Sequence, residues 1–425
     1  MKTILVVCPT DRDKREIEKV VDSEDRVLFY GYEDQVVTKK VCSAVGWLPD
    51  KFNPEILLEN MIAYAYQQKV DAIVYSRDYP APILGSMAAQ VIGVCGPNPR
   101  AVVGHQHKYY SRMWQQQYVP EATPSFWLLD SQDRKRNQEI LLPIFLKPVK
   151  SFFSMFANEI QTQDEFDYWL EYAQFPSAFL EPFNWFLRCH GFDLSAHYLI
   201  AEELLLGEQC TVEGFMRDGQ VTILGIADSI MFPGTISFKR FEYPSHLPQS
   251  VQERMATISA TLMRETGFDN SFFNIEFMYN SETDQLAIIE VNPRAVSQFA
   301  DFYEKVDGVN SYRYLVDLAL GKKPVPVWRR GKHSLAGSCV LRAFENKRVC
   351  KVPGPKELEL LYCEFPDARV YTFVTKGALL SDASQNQDGK SYRYGLVHLG
   401  ARDSQELQEK FERCKEILGF EFESI

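Results

Sequence analysis

Residues 272–294 read FFNIEFMYNSETDQLAIIEVNPR, and this stretch decides the fold. Two apolar runs flank a polar loop, which predicts an antiparallel hairpin. If Asn280 pairs with Leu286 across that loop, the register places Glu276 directly opposite Glu290. Two carboxylates that face each other in an apolar hairpin repel and lose hydration. Their pairing therefore predicts a cation between them.

Amide side chains accompany the two carboxylates. The same register puts Asn274 opposite Asn292, and Glu290 and Asn292 share one face because side chains alternate along a strand. Oxygen ligands of this kind suit Mg²⁺ or Mn²⁺. We therefore predict a metal site formed by Glu276, Glu290 and Asn292. An ordinary half-exposed hairpin whose polar face meets water is the alternative that the spacing alone leaves open.

The composition is that of a globular chain with enough residues for about two to four structural units. Of the 425 residues, 45% are hydrophobic and 24% are charged. No apolar run is long enough to cross a bilayer, and the N-terminus turns charged too soon for a secretory signal, so we expect a cytoplasmic protein without membrane partners. A net charge of −11 argues against nucleic acid. The nine cysteines never form CxxC pairs, which favours free thiols.

Strands and helices alternate in the first hundred residues. Short β-branched or aromatic runs at 3–7, 26–30, 71–75 and 91–95 predict strands, and the charged stretch 11–21 predicts a helix between the first two. This order implies a parallel α/β sheet. The residues after the first strand are CPTDRD rather than GxGxxG, so a dinucleotide site is poorly supported.

The middle and C-terminal parts mix strands with capped helices. A capping box at 162–165 predicts the start of a helix, an apolar strand is predicted at 198–206, and a hairpin around Asp218 and Gly219 is predicted at 207–226. A further helix is predicted at 250–266, with a capping box at Ser250 and Glu253. The last ninety residues or so contain strands and a final amphipathic helix at 403–418. This pattern predicts a small α+β unit at the C-terminus.

The order of motifs resembles that of a known superfamily. His107-Lys108 is followed by FLKP with Lys147, by AEELLLGEQCTVEG at 201–214, and by NIEF and IIEVNPR. This series is similar to the ATP-grasp carboxylate–amine ligases of the L-amino acid ligase and biotin-carboxylase-like type. The resemblance implies an ATP-grasp fold that combines α/β and α+β parts. It implies these boundaries: a pre-ATP-grasp α/β domain at 1–106, an ATP-grasp domain at 107–326 with a lid at about 115–205, and a C-terminal α+β domain at 327–425.

The resemblance also implies an ATP site between two sheet units. Lys108 and Lys147 would contact the phosphates, although a lysine on a strand is a solvated charge in most proteins. Gln209 stands where a ribose-binding glutamate is common. The loop after Pro148 reads VKSFFSMF and has no glycine, so hydroxyl groups would replace backbone donors. The remaining expected nucleotide contacts are Ser151, Ser154, Glu202, Glu203, Leu204 and Leu205.

The activity implied by the resemblance is ligation of a small-molecule carboxylate to an amine, with amino acid or peptide-like substrates. ATP would activate the acid as an acyl phosphate, and Arg294 with Lys147 would offset the developing charge. A salt bridge between Arg294 and an acid such as Asp301 is the structural alternative. Two other functions stay open, namely a carboxylase-like enzyme and a non-catalytic nucleotide-binding protein. A homodimer is one assembly that the chain could form.

Overall fold

The computed structural model describes residues 1–31, 53–130, 140–151, 155–173, 177–382 and 391–425, together with the backbone of two short strands between 42 and 47. Its N-terminal part alternates strands and helices. These elements are β1 (Thr3–Val7), α1 (Asp11–Val20), β2 (Arg26–Tyr30), β3 (Cys42–Ser43), β4 (Gly46–Trp47), α2 (Pro54–Gln68), β5 (Ala72–Val74), α3 (Ala81–Ile92) and α4 (Pro99–His105).

The first sheet is parallel, with the strand order β2-β1-β5, which confirms the predicted α/β arrangement. All five residues of β1 are buried, as expected for a central strand that helices cover. The strand predicted at 91–95 is wrong. Val91 and Ile92 end helix α3, and Gly93 closes the helix with a positive φ of 75°. The apolar residues there belong to a helix rather than to a strand.

A second, smaller sheet follows helix α5. Its four antiparallel strands have the order β6-β9-β7-β8. The capping box predicted at 162–165 is confirmed, because the side chains of Thr162 and Glu165 each bond the other residue's backbone N–H. This part contains α5 (Lys108–Tyr118), a 3₁₀ turn (Pro120–Ala122), β6 (Phe126–Leu129), β7 (Ile144–Pro148), β8 (Asn158–Ile160), α6 (Gln163–Tyr172), α7 (Ser177–Cys189) and β9 (Leu199–Glu203).

The largest sheet begins with the predicted hairpin around Asp218 and Gly219, which is confirmed. One helix after it, α8, starts earlier than predicted. Pro248 is its N-cap and makes no side-chain cap bond, so the capping box predicted at Ser250 and Glu253 is wrong. The elements are β10 (Glu208–Arg217), β11 (Gln220–Met231), β12 (Phe238–Tyr243), α8 (Gln249–Glu265), β13 (Ser271–Asn280), β14 (Gln285–Asn292), α9 (Ala300–Val306) and α10 (Ser311–Ala319).

Three of the C-terminal strands continue this sheet, and the other two, at 347–351 and 421–424, form a separate two-stranded sheet. Strand β15 pairs with β12 through Arg240 and Cys339, and the eight strands have the order β14-β13-β10-β11-β12-β15-β18-β17. The three domain boundaries therefore stay a prediction. The last elements are β15 (Leu335–Ala343), β16 (Lys347–Lys351), α11 (Pro355–Glu364), β17 (Arg369–Thr372), a 3₁₀ turn (Leu380–Asp382), β18 (Tyr392–Ala401), α12 (Ser404–Leu418) and β19 (Glu421–Ser424).

Two sequence-based expectations can be compared with the described residues. Eight of the nine cysteines have described side chains, and none of these eight forms a disulfide, as predicted. Within the same residues, no helix combines the length and the apolarity needed to cross a membrane.

Candidate active site

The site is built on the hairpin of β13 and β14. Glu276 lies opposite Glu290, and Asn274 lies opposite Asn292, as predicted. The predicted register at the turn is wrong by one residue, because Asn280 pairs with Gln285. An extra residue in β14, Ile289, forms a β-bulge between the turn and the acidic pair. Beyond the bulge the predicted register is restored, so that Glu276 pairs with Glu290.

The bulged residue is bonded by a neighbouring helix. The carbonyl oxygen of Ile289 accepts a hydrogen bond of 2.8 Å from Arg112 Nη2. At the other end of the hairpin, the side-chain oxygen of Asn280 accepts from the backbone N–H groups of Glu282 and Thr283, at 2.9 and 3.3 Å. This Asn-anchored turn takes one residue fewer than the predicted loop, and the bulge absorbs the difference.

The two carboxylates have different charge environments. Desolvation, and then the charge of Glu290, raises the pKa of Glu276 above its ordinary value. Glu276 accepts hydrogen bonds from Gln209 Nε2 at 2.9 Å and from Asn292 Nδ2 at 3.2 Å. Burial acts in the same direction on Glu290, but the ammonium groups of Lys108 and Lys147 outweigh it and lower the pKa of Glu290. Glu290 is therefore the carboxylate that stays ionised.

The acidic pair fits a hard divalent cation. No group of three or more His, Cys, Asp or Glu side chains that could hold a metal ion occurs in the described part of the chain, so the candidate donor set here is two carboxylates and an amide. All of its donor atoms can be oxygen, which suits Mg²⁺ or Mn²⁺. Burial and then the charge of Glu290 raise the pKa of Glu276, and a cation between the two carboxylates would favour its ionised form.

Lys108 begins helix α5 and reaches the acidic pair. Its Nζ lies 2.9 Å from Glu290 Oε1 and donates to Ser151 Oγ at 3.1 Å. Lys108 is thus close to the candidate metal ligands and to the loop after β7. For the predicted contact, its ammonium group would bond a phosphate oxygen either in place of Glu290 or in addition to it.

Lys147 and Glu202 form a buried ion pair between neighbouring strands of the smaller sheet. Lys147 on β7 pairs with Ile200 of β9, so Lys147 and Glu202 share one face. Their Nζ and Oε2 atoms are 2.7 Å apart. Burial opposes ionisation of Glu202, but Arg112 and Lys147 lower its pKa to about 2. Glu202, a predicted nucleotide contact, thus has a side chain that is fully engaged with cations.

Arg112 is a site residue that the motif search did not find. It is 2% exposed and donates to both carboxylate oxygens of Glu202, at 2.9 and 3.1 Å. The signal for it was available in the sequence. Lys108, Ser111, Arg112 and Gln115 recur at helical spacing and form the buried face of α5, where apolar residues are the rule. A polar stripe on a buried helix face indicates a functional interior.

Arg294 and Asp78 join the hairpin to the first sheet. Arg294 Nη2 lies 2.9 Å from Asp78 Oδ2 and 3.5 Å from Asn292 Oδ1, so the guanidinium lies on the face of the metal ligands as predicted. Burial raises the pKa of Asp78, but the charges of Arg294 and Lys150 outweigh it and lower that pKa. Asp301 is the wrong partner, because it pairs instead with Lys305.

Asp78 could have been found from topology alone. It follows β5, and the carboxyl ends of parallel strands are where ligands usually bind in open α/β sheets.

Of the other predicted residues, Glu203 accepts from the backbone N–H of Ser125 and from Gln285 Nε2, at 3.0 and 3.2 Å. Leu204 and Leu205 follow β9 and are partly exposed, and Ser154 lies outside the described residues. The nucleotide contacts of all these residues stay predictions.

Comparisons with known proteins show which proteins this chain resembles. A family model described as an ATP-grasp domain matches residues 140–301. Over 53 residues the chain is 37% identical to the vancomycin/teicoplanin A-type resistance protein VanA of Enterococcus faecium, which covers 12% of this chain and 16% of that protein. The chain thus spans only about one-sixth of the length of this curated relative.

Solved structures match over the full length of the chain. An L-amino acid ligase from Bacillus licheniformis has a TM-score of 0.75 at 14% identity, covering 100% of this chain and 99% of that one. A phosphoribosylglycinamide synthetase from Anaerococcus prevotii has a TM-score of 0.66 at 11% identity, covering 100% of both chains. A biotin carboxylase from Campylobacter jejuni has a TM-score of 0.62 at 13% identity, covering 100% of this chain and 92% of that one. The chain therefore has the fold of the ATP-grasp superfamily, with an ATP-grasp domain at residues 140–301.

Proposed function

We propose that the protein is an ATP-dependent ligase that joins a small-molecule carboxylate to an amine and releases ADP and phosphate. One observation carries the proposal. Two facing carboxylates, two lysines and an arginine converge from three parts of the fold on one face of the hairpin. The similarity to an L-amino acid ligase and to phosphoribosylglycinamide synthetase supports carboxylate–amine chemistry among the ATP-grasp activities.

The reaction needs ATP because a carboxylate lacks a good leaving group. An oxygen of the acid attacks the γ-phosphorus, the bond from that phosphorus to the bridging oxygen breaks, and ADP leaves with the electron pair. The amine nitrogen then adds to the acyl carbon. The bond from this carbon to the phosphate oxygen breaks, and the amine proton leaves with the phosphate. No protein nucleophile takes part.

The lysines are assigned to the nucleotide. In the proposed complex, Lys108 and Lys147 contact phosphate oxygens, Glu202 to Leu205 border the adenine, and Gln209 reaches the ribose. Lys108 and Lys147 are now held by carboxylates at 2.9 and 2.7 Å. Because an ammonium group has three N–H donors, each lysine can bond a phosphate while it keeps its carboxylate. A bound Mg²⁺ or Mn²⁺ at Glu276, Glu290 and Asn292 would offset charge on the phosphate oxygens.

Arg294 is assigned to the charge that develops during the reaction. Its planar guanidinium is fixed by Asp78 and lies beside Asn292. A fixed, two-pronged donor in this position stabilises negative charge on the transferred group and on the tetrahedral oxygen. Asp78 thus acts as a positioning residue for Arg294. The acid and amine would bind on this side of the hairpin.

The test is a screen of acids against amines that measures phosphate release and identifies the nucleotide product. We expect release only when an acid and an amine are both present, with ADP as the product. Release that depends on bicarbonate would favour the carboxylase-like alternative, which the similarity to a biotin carboxylase supports. Nucleotide binding without any turnover would favour a non-catalytic role. Sedimentation of the same preparation tests whether the chain forms a homodimer.

A further inference from the structure

Lys150 has an environment that the assigned roles do not explain. It lies two residues beyond β7 and is 3% exposed. Its Nζ donates to Gln106 Oε1 at 3.1 Å and lies over the rings of Tyr79 and Phe183, at 4.5 and 4.7 Å from their centroids. In the described residues it forms no ion pair within 4.0 Å. Lys150 is therefore a buried cation without a bonded anion.

Lys150 contacts chain neighbours of two charged site residues, because Gln106 lies two residues before Lys108 and Tyr79 directly follows Asp78. Burial, assisted by the positive charges of Lys108 and Arg294, lowers its pKa to about 7, although Asp78 and Glu290 act in the opposite direction. These four residues are the two ion pairs of the candidate site, Lys108 with Glu290 and Arg294 with Asp78. Lys150 thus lies close to both ion pairs, one assigned to metal and phosphate and the other to the reacting acid.

A second donor lies beside Lys150. Gln106 is 7% exposed, and its Nε2 finds no acceptor among the described residues while its Oε1 holds Lys150. An unpaired buried amide N–H costs free energy, and an ammonium with one hydrogen bond leaves two further donors unused. An oxyanion is the ligand that would satisfy both groups. Aromatic rings supply only a weak substitute for it.

We propose that Lys150, assisted by Gln106, binds the phosphoryl group as it moves from ATP to the acid. The inference rests on the proposed ligase function. Lys150 would contact an oxygen of the γ-phosphate in ATP and the same oxygen in the acyl phosphate, and it would form no covalent bond. Lys150 lies close to both the Lys108 pair, assigned to the phosphates, and the Arg294 pair, assigned to the reacting acid. The phosphoryl group moves from the first pair to the second, so we favour phosphate over the carboxylate of the acid as the ligand of Lys150.

The test compares Lys150→Met with the parent, with Lys410→Met as the matched control. Lys410 donates to the carbonyl of Gly400 at 2.9 Å and lies in the C-terminal helix α12, outside the site. Calorimetry gives the affinities for ADP and for a non-hydrolysable ATP analogue, both with Mg²⁺. We expect Lys150→Met to keep ADP affinity within about twofold, to weaken the analogue at least about tenfold, and to lower kcat about 10²-fold. Lys410→Met should match the parent in all three.

Three outcomes would overturn the assignment. Equal weakening of ADP and the analogue would make Lys150 structural, unchanged affinities and kcat would make it dispensable, and a raised KM for the acid alone would place the substrate carboxylate on it. Lys150→Gln is the second variant if Lys150→Met does not fold. The ADP comparison separates this proposal from the ligase function. A parent that binds nucleotide without turnover disproves the ligase, whereas the ratio of the two affinities still decides the role of Lys150.

Discussion

Each lysine assigned to the nucleotide is already neutralised by a carboxylate. Lys108 pairs with Glu290, and Lys147 pairs with Glu202, so an ion pair holds each of the two ammonium groups at the site. The two pairs differ in burial, because the side chain of Glu290 is 35% exposed whereas that of Glu202 is 4% exposed. The Lys108–Glu290 pair is accessible to a ligand, and the Lys147–Glu202 pair is a fixed part of the interior.

Glu290 should be the most sensitive of the proposed metal ligands. Glu290→Gln keeps the shape of the side chain but removes the charge that holds both Lys108 and the cation. We expect ATP turnover to be lost with an unchanged unfolding temperature, and we expect a chelator to abolish turnover of the parent until Mg²⁺ is restored. Steady-state kinetics and thermal unfolding provide the measurement. Turnover that survives both the substitution and the chelator would disprove the metal site.

Arg294 should be sensitive to a change that keeps its charge. Lysine can still pair with Asp78 but lacks the planar pair of donors. We expect Arg294→Lys to keep its unfolding temperature and ATP affinity and to lose about 10²-fold in kcat, the usual effect of removing a transition-state donor. Arg313→Lys, which alters ion pairs with Asp22 and Asp317 rather than with a proposed site residue, is the control. A destabilised Arg294→Lys protein with a nearly normal kcat would make this arginine structural.

Among the elements, strand β10 carries a buried acid whose ionisation costs stability. Glu213 is 1% exposed and lies in the row that continues through Asn274 to Asn292. Burial raises its pKa to about 7, although the backbone N–H of Val296 donates to it at 2.5 Å. Since the folded state holds this proton more tightly than the unfolded chain, stability is lost as pH rises from about 4.5 to about 7.

Replacing this acid should therefore flatten the dependence of stability on pH. Glu213→Gln keeps an acceptor for Val296 and cannot ionise. The free energy of unfolding of Glu213→Gln minus that of the parent should be larger at pH 8 than at pH 5 by about 2 kcal/mol. Denaturant unfolding at the two pH values provides the measurement. An equal difference at both values would show that Glu213 is ionised in the folded state already at pH 5.

The elements also show what sequence patterns can predict. The parallel first sheet, the hairpin of β13 and β14 and the facing acids followed from periodicity. The turn register did not, because periodicity does not predict the bulge at Ile289, whose carbonyl oxygen accepts from Arg112 far away along the chain. The strand predicted at 91–95 failed because a short apolar run has the same appearance at the end of a buried helix.

At the scale of the whole molecule, the site exists only where separate sheets meet. Asp78 comes from the first sheet, Lys147 and Glu202 from the smaller one, and Glu290 and Arg294 from the largest. Motif order predicted the lysines and the acidic hairpin. Asp78 and Lys150 could not be assigned to the site from motifs, because their partners are brought to them only by the packing of these sheets. The geometry is thus a property of the complete fold.

The most direct test follows oxygen atoms from the acid. With an acid and amine found by the screen, the carboxylate is labelled with ¹⁸O and the released phosphate is analysed by mass spectrometry. An acyl phosphate route transfers one carboxylate oxygen to phosphate, because the carbon–oxygen bond breaks when the amine attacks. We expect one ¹⁸O atom in each phosphate, together with ADP. Unlabelled phosphate, or AMP with pyrophosphate, would contradict the proposed mechanism.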